Sequence, residues 1–277
     1  MPSVPVFFFR GLSTYGHDHA QWTVFDFGPV YKRLAASLNR KGLDFHPVLG
    51  MGSGPLREVA WRARAFIESH PIWQDPERPI GFLAHSTGGL VARLVLEQMG
   101  DAARGKVVRF LTVASPHRGS ALAQICVEMP ERYPGSAFIL RSSGYNVAAK
   151  RPFFAELTPE RVAEVLSHFT SDDRGTLSAE GDTVSLGKSG IQVASIVCHA
   201  PRAQWCLPLR LCYTLKAFRE FAIPSDGVVE LDSQAFGKVV AEIQLDHFRQ
   251  VGLFGGNASS EFGQMCRKIS EYFRVRS

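Results

Sequence analysis

The sequence predicts an α/β protein: a mostly parallel central sheet, helices on both of its faces, and a helical cap inserted late in the chain. Three observations carry this. Short apolar runs alternate with helix-spaced segments as far as about residue 115. Those runs are nearly continuous, as expected of parallel strands covered on both faces. The alternation breaks off near Ser120 and resumes at Ile191, the pattern of an insertion within a doubly wound sheet.

The elements follow in order. Val4 to Phe9 is a strand-length apolar run ending in Arg10–Gly11 and a polar loop. Val30 to Lys41 places Tyr31, Leu34, Ala35 and Leu38 on one side of a helix. Phe45 to Leu49 is a weaker strand, followed by a glycine-rich loop over Gly50 to Pro55. Leu56 to His70 repeats apolar residues at three and four (Val59, Ala60, Ala63, Phe66, Ile67), which predicts an amphipathic helix. Pro79 to His85 is a strand running into Ser86, Leu90 to Met99 a helix, and Val107 to Ala114 the next strand. The span 120–190 contains helix-like pieces, notably Pro159 to Phe169, and is read as a cap. Ile191 to His199 returns to the sheet, Pro201 to Ala222 is a loop, and Pro224 to Val229 and the segment around Asp246–His247 lead toward the end of the domain. Ser260 to Phe273 is a final helix. The 277 residues are read as one domain, 1–277, with the cap at 120–190 inside it.

Composition narrows the function classes. At 45% hydrophobic and 21% charged residues the chain is ordinary globular protein. The net charge of +5 is spread along the chain, whereas a nucleic-acid binder concentrates its cations; no nucleic-acid partner is expected. Weak contact with an anionic lipid surface is compatible with that charge. Five cysteines without a C-x-x-C encode neither a disulfide framework nor a zinc site, so free thiols and no metal or other cofactor are expected. No signal-peptide pattern and no run near ~20 apolar residues occurs. A soluble, cytoplasmic protein is the expectation, its oligomeric state left open.

The chemistry is carried by Ile-Gly-Phe-Leu-Ala-His-Ser-Thr-Gly-Gly (80–89). A strand, a small residue, Ser86, then Gly88 opening a helix is the nucleophile-elbow pattern, with Ala84 at its first small position. The turn is tight and strained, and only small residues fit two before and two after the serine. By itself the pattern is a weak signal. The rest of the chain strengthens it, because a serine needs a base and the base an orienting carboxylate, in the order Ser, acid, His. His247 is the best base, with His199 the runner-up and His168 read as structural. Asp226, before the turn-forming Gly227, is the best acid; Asp232 and Asp246 are alternatives. His85 and His117 are read as packing and support residues, and His17 and His19 as loop residues.

Four segments resemble bacterial lipases and esterases of the α/β-hydrolase superfamily, in particular the Pseudomonas and Burkholderia type. They are Val-Phe-Phe-Phe-Arg-Gly-Leu (6–12), Ala-His-Ser-Thr-Gly-Gly-Leu-Val-Ala-Arg (84–93), Val-Ala-Ser-Pro-His-Arg-Gly-Ser (113–120), and the stretch from Ser-Asp-Gly-Val-Val to Leu-Asp-His-Phe (225–248). Leu157–Thr158–Pro159–Glu160 is similar to a lid-end segment. The resemblance implies the α/β-hydrolase fold and a Ser86–Asp226–His247 triad. It also implies an oxyanion hole from the backbone N–H groups of Leu12 and Thr87, and a small-molecule or lipid ester as substrate. Cleavage of carboxylic esters through an acyl-enzyme is the implied activity. Acyltransfer or thioester hydrolysis on the same triad, or ligand binding without catalysis, are its alternatives. Three departures stand out. Arg10 replaces the family's His, and Arg249 takes the place of an aspartate that ligates calcium in the relatives. No calcium is therefore expected there, with the guanidinium pairing to a carboxylate in its stead. The cysteine that follows the acid in the relatives is absent too.

Overall fold

A computed structural model describes residues 3–11, 31–52, 54–142, 152–166, 184–185, 190–219 and 224–274. The strands are β1 (Val6–Phe9), β2 (Phe45–Pro47), β3 (Ile80–His85), β4 (Val107–Val113), β5 (Val184–Ser185), β6 (Gln192–Cys198) and β7 (Lys238–Ile243). Their order is β2-β1-β3-β4-β6, with β5 and β7 both paired to β6. All pairings are parallel except β5 with β6. Short β5 takes residues 192 and 193 of β6, and β7 takes 194 to 198.

Alternation along the strands builds the two faces. Phe7 and Phe9 of β1, Phe82 and Ala84 of β3 and Phe110 of β4 lie in one apolar cluster with α2 (Leu56–Ser69) and α4 (Gly88–Met99). Val6 and Phe8, Leu83, Leu111 and Val113 belong to the opposite cluster, with α1 (Lys32–Arg40) and the C-terminal helix. The central strands are thus apolar on both sides, which is why their sequence runs are unbroken. Gly81 is required by this packing: a Cβ there would come within 2.5 Å of the Phe273 ring.

Helices α3 (Pro71–Gln74), α5 (Ala121–Arg132), α6 (Pro134–Ser142) and α7 (Pro159–Val165) complete the first two thirds. The last three fall within the span read as a cap; the rest of that span, including His168, lies largely outside the described residues. α5 and α6 join a third cluster with α8 (Leu207–Cys212) and α9 (Lys216–Arg219). The segment read as a loop over 201–222 therefore holds two short helices, whose inward residues Leu209, Ala217 and Phe218 are buried. Their brevity hides the helical period. α10 (Leu231–Gln234) and α11 (Ser260–Phe273) follow. Ser259 caps α11, its Oγ accepting from the Phe262 N–H at 3.1 Å.

Pro224 to Val229 is a turn closed by a bridge between Ser225 and Glu230, as the Asp226–Gly227 pair leads one to expect. The last strand, β7, was unread in the sequence because Lys238, Glu242 and the exposed Val239 interrupt its pattern. Charged, half-exposed residues are what an edge strand carries. Among the described residues, no helix is long and apolar enough to cross a membrane.

Candidate active site

Ser86 follows directly on β3. Its N–H donates to the Val113 carbonyl at 2.9 Å, prolonging the parallel ladder by one step, and its φ is +56°. For a residue with a Cβ that conformation costs roughly 1–2 kcal/mol, held in place by the strand before and the helix after. The small residues have steric causes. A Cβ on Gly88 would run into the Phe9 carbonyl of β1, and one on Gly89 into the Ser115 side chain. Gly11 is pressed against the serine from the other side; a Cβ there would lie 2.8 Å from the Ser86 Cβ. Helix α4 starts at Gly88, two residues earlier than the apolar period shows, so its N-terminal end directly adjoins the hydroxyl.

Asp226 and His247, the expected acid and base, sit on two loops, one after β6 and one after β7. The Ser86 Oγ and His247 Nε2 are 2.9 Å apart, and His247 Nδ1 and Asp226 Oδ2 are 2.7 Å apart. All three residues are buried. The loops are also joined through the backbone, the His247 N–H donating to the Asp226 carbonyl at 2.9 Å. Asp226 folds its own turn: Oδ1 accepts from the Val228 and Val229 amides at 3.0 and 2.8 Å, and Gly227 turns the chain at φ +91°. Its other oxygen is left to the imidazole and to Gln250, whose Nε2 donates at 2.8 Å. A carboxylate so furnished with donors is fixed in orientation, as a group that sets an imidazole's tautomer must be.

The rival residues are elsewhere engaged. His199 pairs with Glu242 of β7 at 2.8 Å, and Asp232 is exposed on α10. Asp246 accepts from the Cys206, Phe248 and Arg249 amides, each at 3.1 Å. Its carboxyl is pushed up by burial. Arg249 stands 3.4 Å from it and donates to the Gln204 carbonyl at 2.6 Å, so the expected guanidinium–carboxylate pairing is present. His117 holds the loop after β4: its N–H donates to the Ser233 carbonyl, its Nε2 lies 3.2 Å from Thr112 Oγ1, and its ring stacks on Phe236.

Of the two amides expected to bind an oxyanion, that of Thr87 sits beside Ser86 at the start of α4 and has no acceptor among the described residues. Leu12, with His17 and His19, lies outside the described residues. All five cysteines are free thiols, and no cluster of metal-ligating side chains occurs among the described residues. Sequence reasoning missed Gln250 and Tyr31, which contact Asp226 and His85. Neither matches a motif; Gln250 is buried and Tyr31 half-buried beside the site.

Comparison with known proteins bears on the fold and on the residues around Ser86. Residues 51–170 match the model of a family described as "Putative serine esterase (DUF676)". No curated protein matches the sequence. Among solved structures, the mature lipase of Bacillus licheniformis superposes with a TM-score of 0.66 at 14% identity, over 99% of this chain and 95% of that one. A metagenomic carboxyl esterase gives 0.61 at 16% identity, over 97% and 76%. Staphylococcus hyicus lipase gives 0.60 at 13% identity, over 97% and 95%. At such identities the likeness is one of architecture, and together with the strand order and the elbow it establishes that this chain has the α/β-hydrolase fold.

Proposed function

We propose that the protein hydrolyses carboxylic esters, with Ser86 as nucleophile, His247 as general base and acid, and Asp226 as the group that orients the imidazole. The observation that carries this is the unbroken hydrogen-bond line from Ser86 through His247 to Asp226, at 2.9 and 2.7 Å, on a strained elbow. The esterase family match and the lipase and esterase neighbours support it. The sequence motifs support kinship with the Pseudomonas and Burkholderia type.

The Ser86 oxygen attacks the ester carbonyl carbon while its proton passes to His247 Nε2. Negative charge develops on the carbonyl oxygen, for which the Thr87 and Leu12 amides are the proposed donors, each worth ~3 kcal/mol. Collapse breaks the bond to the alcohol oxygen, which takes the proton back from His247. Water, deprotonated by the same imidazole, then cleaves the acyl-enzyme to the free acid and Ser86. Apolar side chains exposed on α6 (Phe138, Ile139) and α8 (Leu207, Leu211) favour a lipid-like or medium-chain acyl group, with the described helices α5, α6 and α7 as parts of the proposed cap.

A panel of p-nitrophenyl esters of increasing chain length tests the reading. Turnover that rises from acetate to a medium chain and vanishes in Ser86→Ala is expected. Turnover that survives in Ser86→Ala, or none with any ester, would overturn it.

A further inference from the structure

Behind the serine a second line of hydrogen bonds runs through three side chains the ester reaction does not consume. The Tyr31 hydroxyl is 3.0 Å from His85 Nδ1, and His85 Nε2 is 2.9 Å from Gln250 Oε1. Gln250 Nε2 is 2.8 Å from Asp226 Oδ2, and at its other end Tyr31 accepts from the Gly11 N–H at 2.8 Å. His85 and Gln250 are buried. Together with the Ser86–His247–Asp226 line, the chain passes around the nucleophile from the acid to the glycine pressed against it.

The proton positions in this chain are determined. The amide nitrogen of Gln250 faces two oxygens, Asp226 Oδ2 and the Leu245 carbonyl at 3.5 Å, and only an NH2 group satisfies both. Its oxygen therefore faces His85, so His85 Nε2 carries the proton and Nδ1 is the acceptor. The Tyr31 hydroxyl must then donate to His85, which leaves its lone pairs for the Gly11 amide. Every donor meets an acceptor, and reversing any one link would set two like groups face to face.

We propose that Gln250, His85 and Tyr31 are positioning residues that hold Asp226 and the Gly11 backbone in register on the two sides of Ser86, with His85 kept neutral as its Nε2–H tautomer. This rests on the ester-hydrolase reading for its catalytic consequence, though not for its hydrogen-bond content. Burial and the neighbouring His247 ring, 4.9 Å away between centroids, push the His85 imidazole down to about 3, in keeping with a neutral ring. Gln250 acts on Asp226 by drawing on its charge. Without that N–H the carboxylate acts more fully on the imidazole, so His247 is harder to deprotonate and Asp226 is freer to turn. Among the described residues His247 is faced by Asp226 and His85. Asp226 in turn is faced by Cys198, Tyr213 and Glu230, each pushed up by burial.

The experiment has two arms on the full-length chain. Long-range proton–nitrogen NMR at neutral pH, on protein with nitrogen-15 histidine, is expected to show His85 protonated at Nε2 and bare at Nδ1, with Nδ1 alone shifted in Tyr31→Phe. Kinetics with p-nitrophenyl butyrate is expected to show Gln250→Met lowering kcat about tenfold, with KM within about twofold. The acid limb of its kcat/KM profile moves to higher pH. Tyr31→Phe, which removes one hydroxyl only, lowers kcat severalfold and serves if Gln250→Met does not fold. A His85 protonated at Nδ1 or at both nitrogens overturns the proposal. So do folded variants with lowered melting temperature but unchanged kcat and pH limb. If the wild type neither turns over ester nor reacts with a fluorophosphonate, the hydrolase reading has failed, and the NMR arm still decides the hydrogen-bond chain.

Discussion

Ser86 holds a backbone conformation that its own Cβ resists, φ +56°, and this separates stability from activity at a single position. Ser86→Ala and Ser86→Gly both remove the nucleophile. The glycine variant also relieves the strain, so it is expected to be more stable than the alanine variant by about 1 kcal/mol in urea unfolding; an alanine variant as stable as the glycine would contradict the strained elbow. His85 makes the second prediction. In the folded chain burial pushes it down to about 3, whereas its ordinary value is 6.5. Between those values the unfolded state binds the extra proton. Its contribution is thus complete above about pH 6.5 and is lost as pH falls toward 3, at up to ~1.4 kcal/mol per pH unit. Burial lowers His117 in the same direction. Urea midpoints measured from neutral pH downward are expected to fall across this window, and a flat profile would count against a buried neutral pair. At this scale the order serine, acid, histidine was legible in the sequence, and the structure joins Ser86, His247 and Asp226 in one hydrogen-bonded line. The sequence was silent on Tyr31 and Gln250, whose roles depend only on where the fold brings them.

Elements show a different limit. Strands β1, β3, β4 and β6 were legible because burial on both faces leaves an unbroken apolar run. β7 was not, because one side is an edge and its residues answer to solvent. The turn at Asp226–Gly227 was legible from the glycine, but its internal order comes from the Asp226 carboxylate accepting from the Val228 and Val229 amides, a side-chain effect with no period. The loop carrying His247 is held in a similar way, by Asp246 accepting three amides with Arg249 beside it. Arg249→Met is expected to cost about 1 kcal/mol, the modest value of a partly exposed pair with a buried carboxylate, and to lower kcat more than it raises KM. Because Arg249 stands in sequence where the lipases this chain resembles carry a calcium-ligating aspartate, and pairs with Asp246 instead, chelation with EDTA is expected to leave turnover unchanged; strong loss would contradict that assignment.

For the molecule as a whole, the site depends on two apolar layers clamping one sheet. β1 and β3 set Gly11 and Ser86 against each other, and α11 secures the outer layer through Phe262, Met265, Ile269 and Phe273. Phe273 is fully buried and packs on Gly81 at the centre of the sheet. Phe273→Ala is expected to cost about 3–5 kcal/mol in urea unfolding, with kcat of the folded fraction little changed, since the residue lies at the opposite end of β3 from the serine. The most direct test of the central claim is intact-mass and peptide analysis after reaction with a fluorophosphonate. One adduct is expected, on Ser86, absent in Ser86→Ala and formed orders of magnitude more slowly in His247→Ala; no adduct, or an adduct on another residue with Ser86 unmodified, would contradict the assignment of Ser86 as nucleophile.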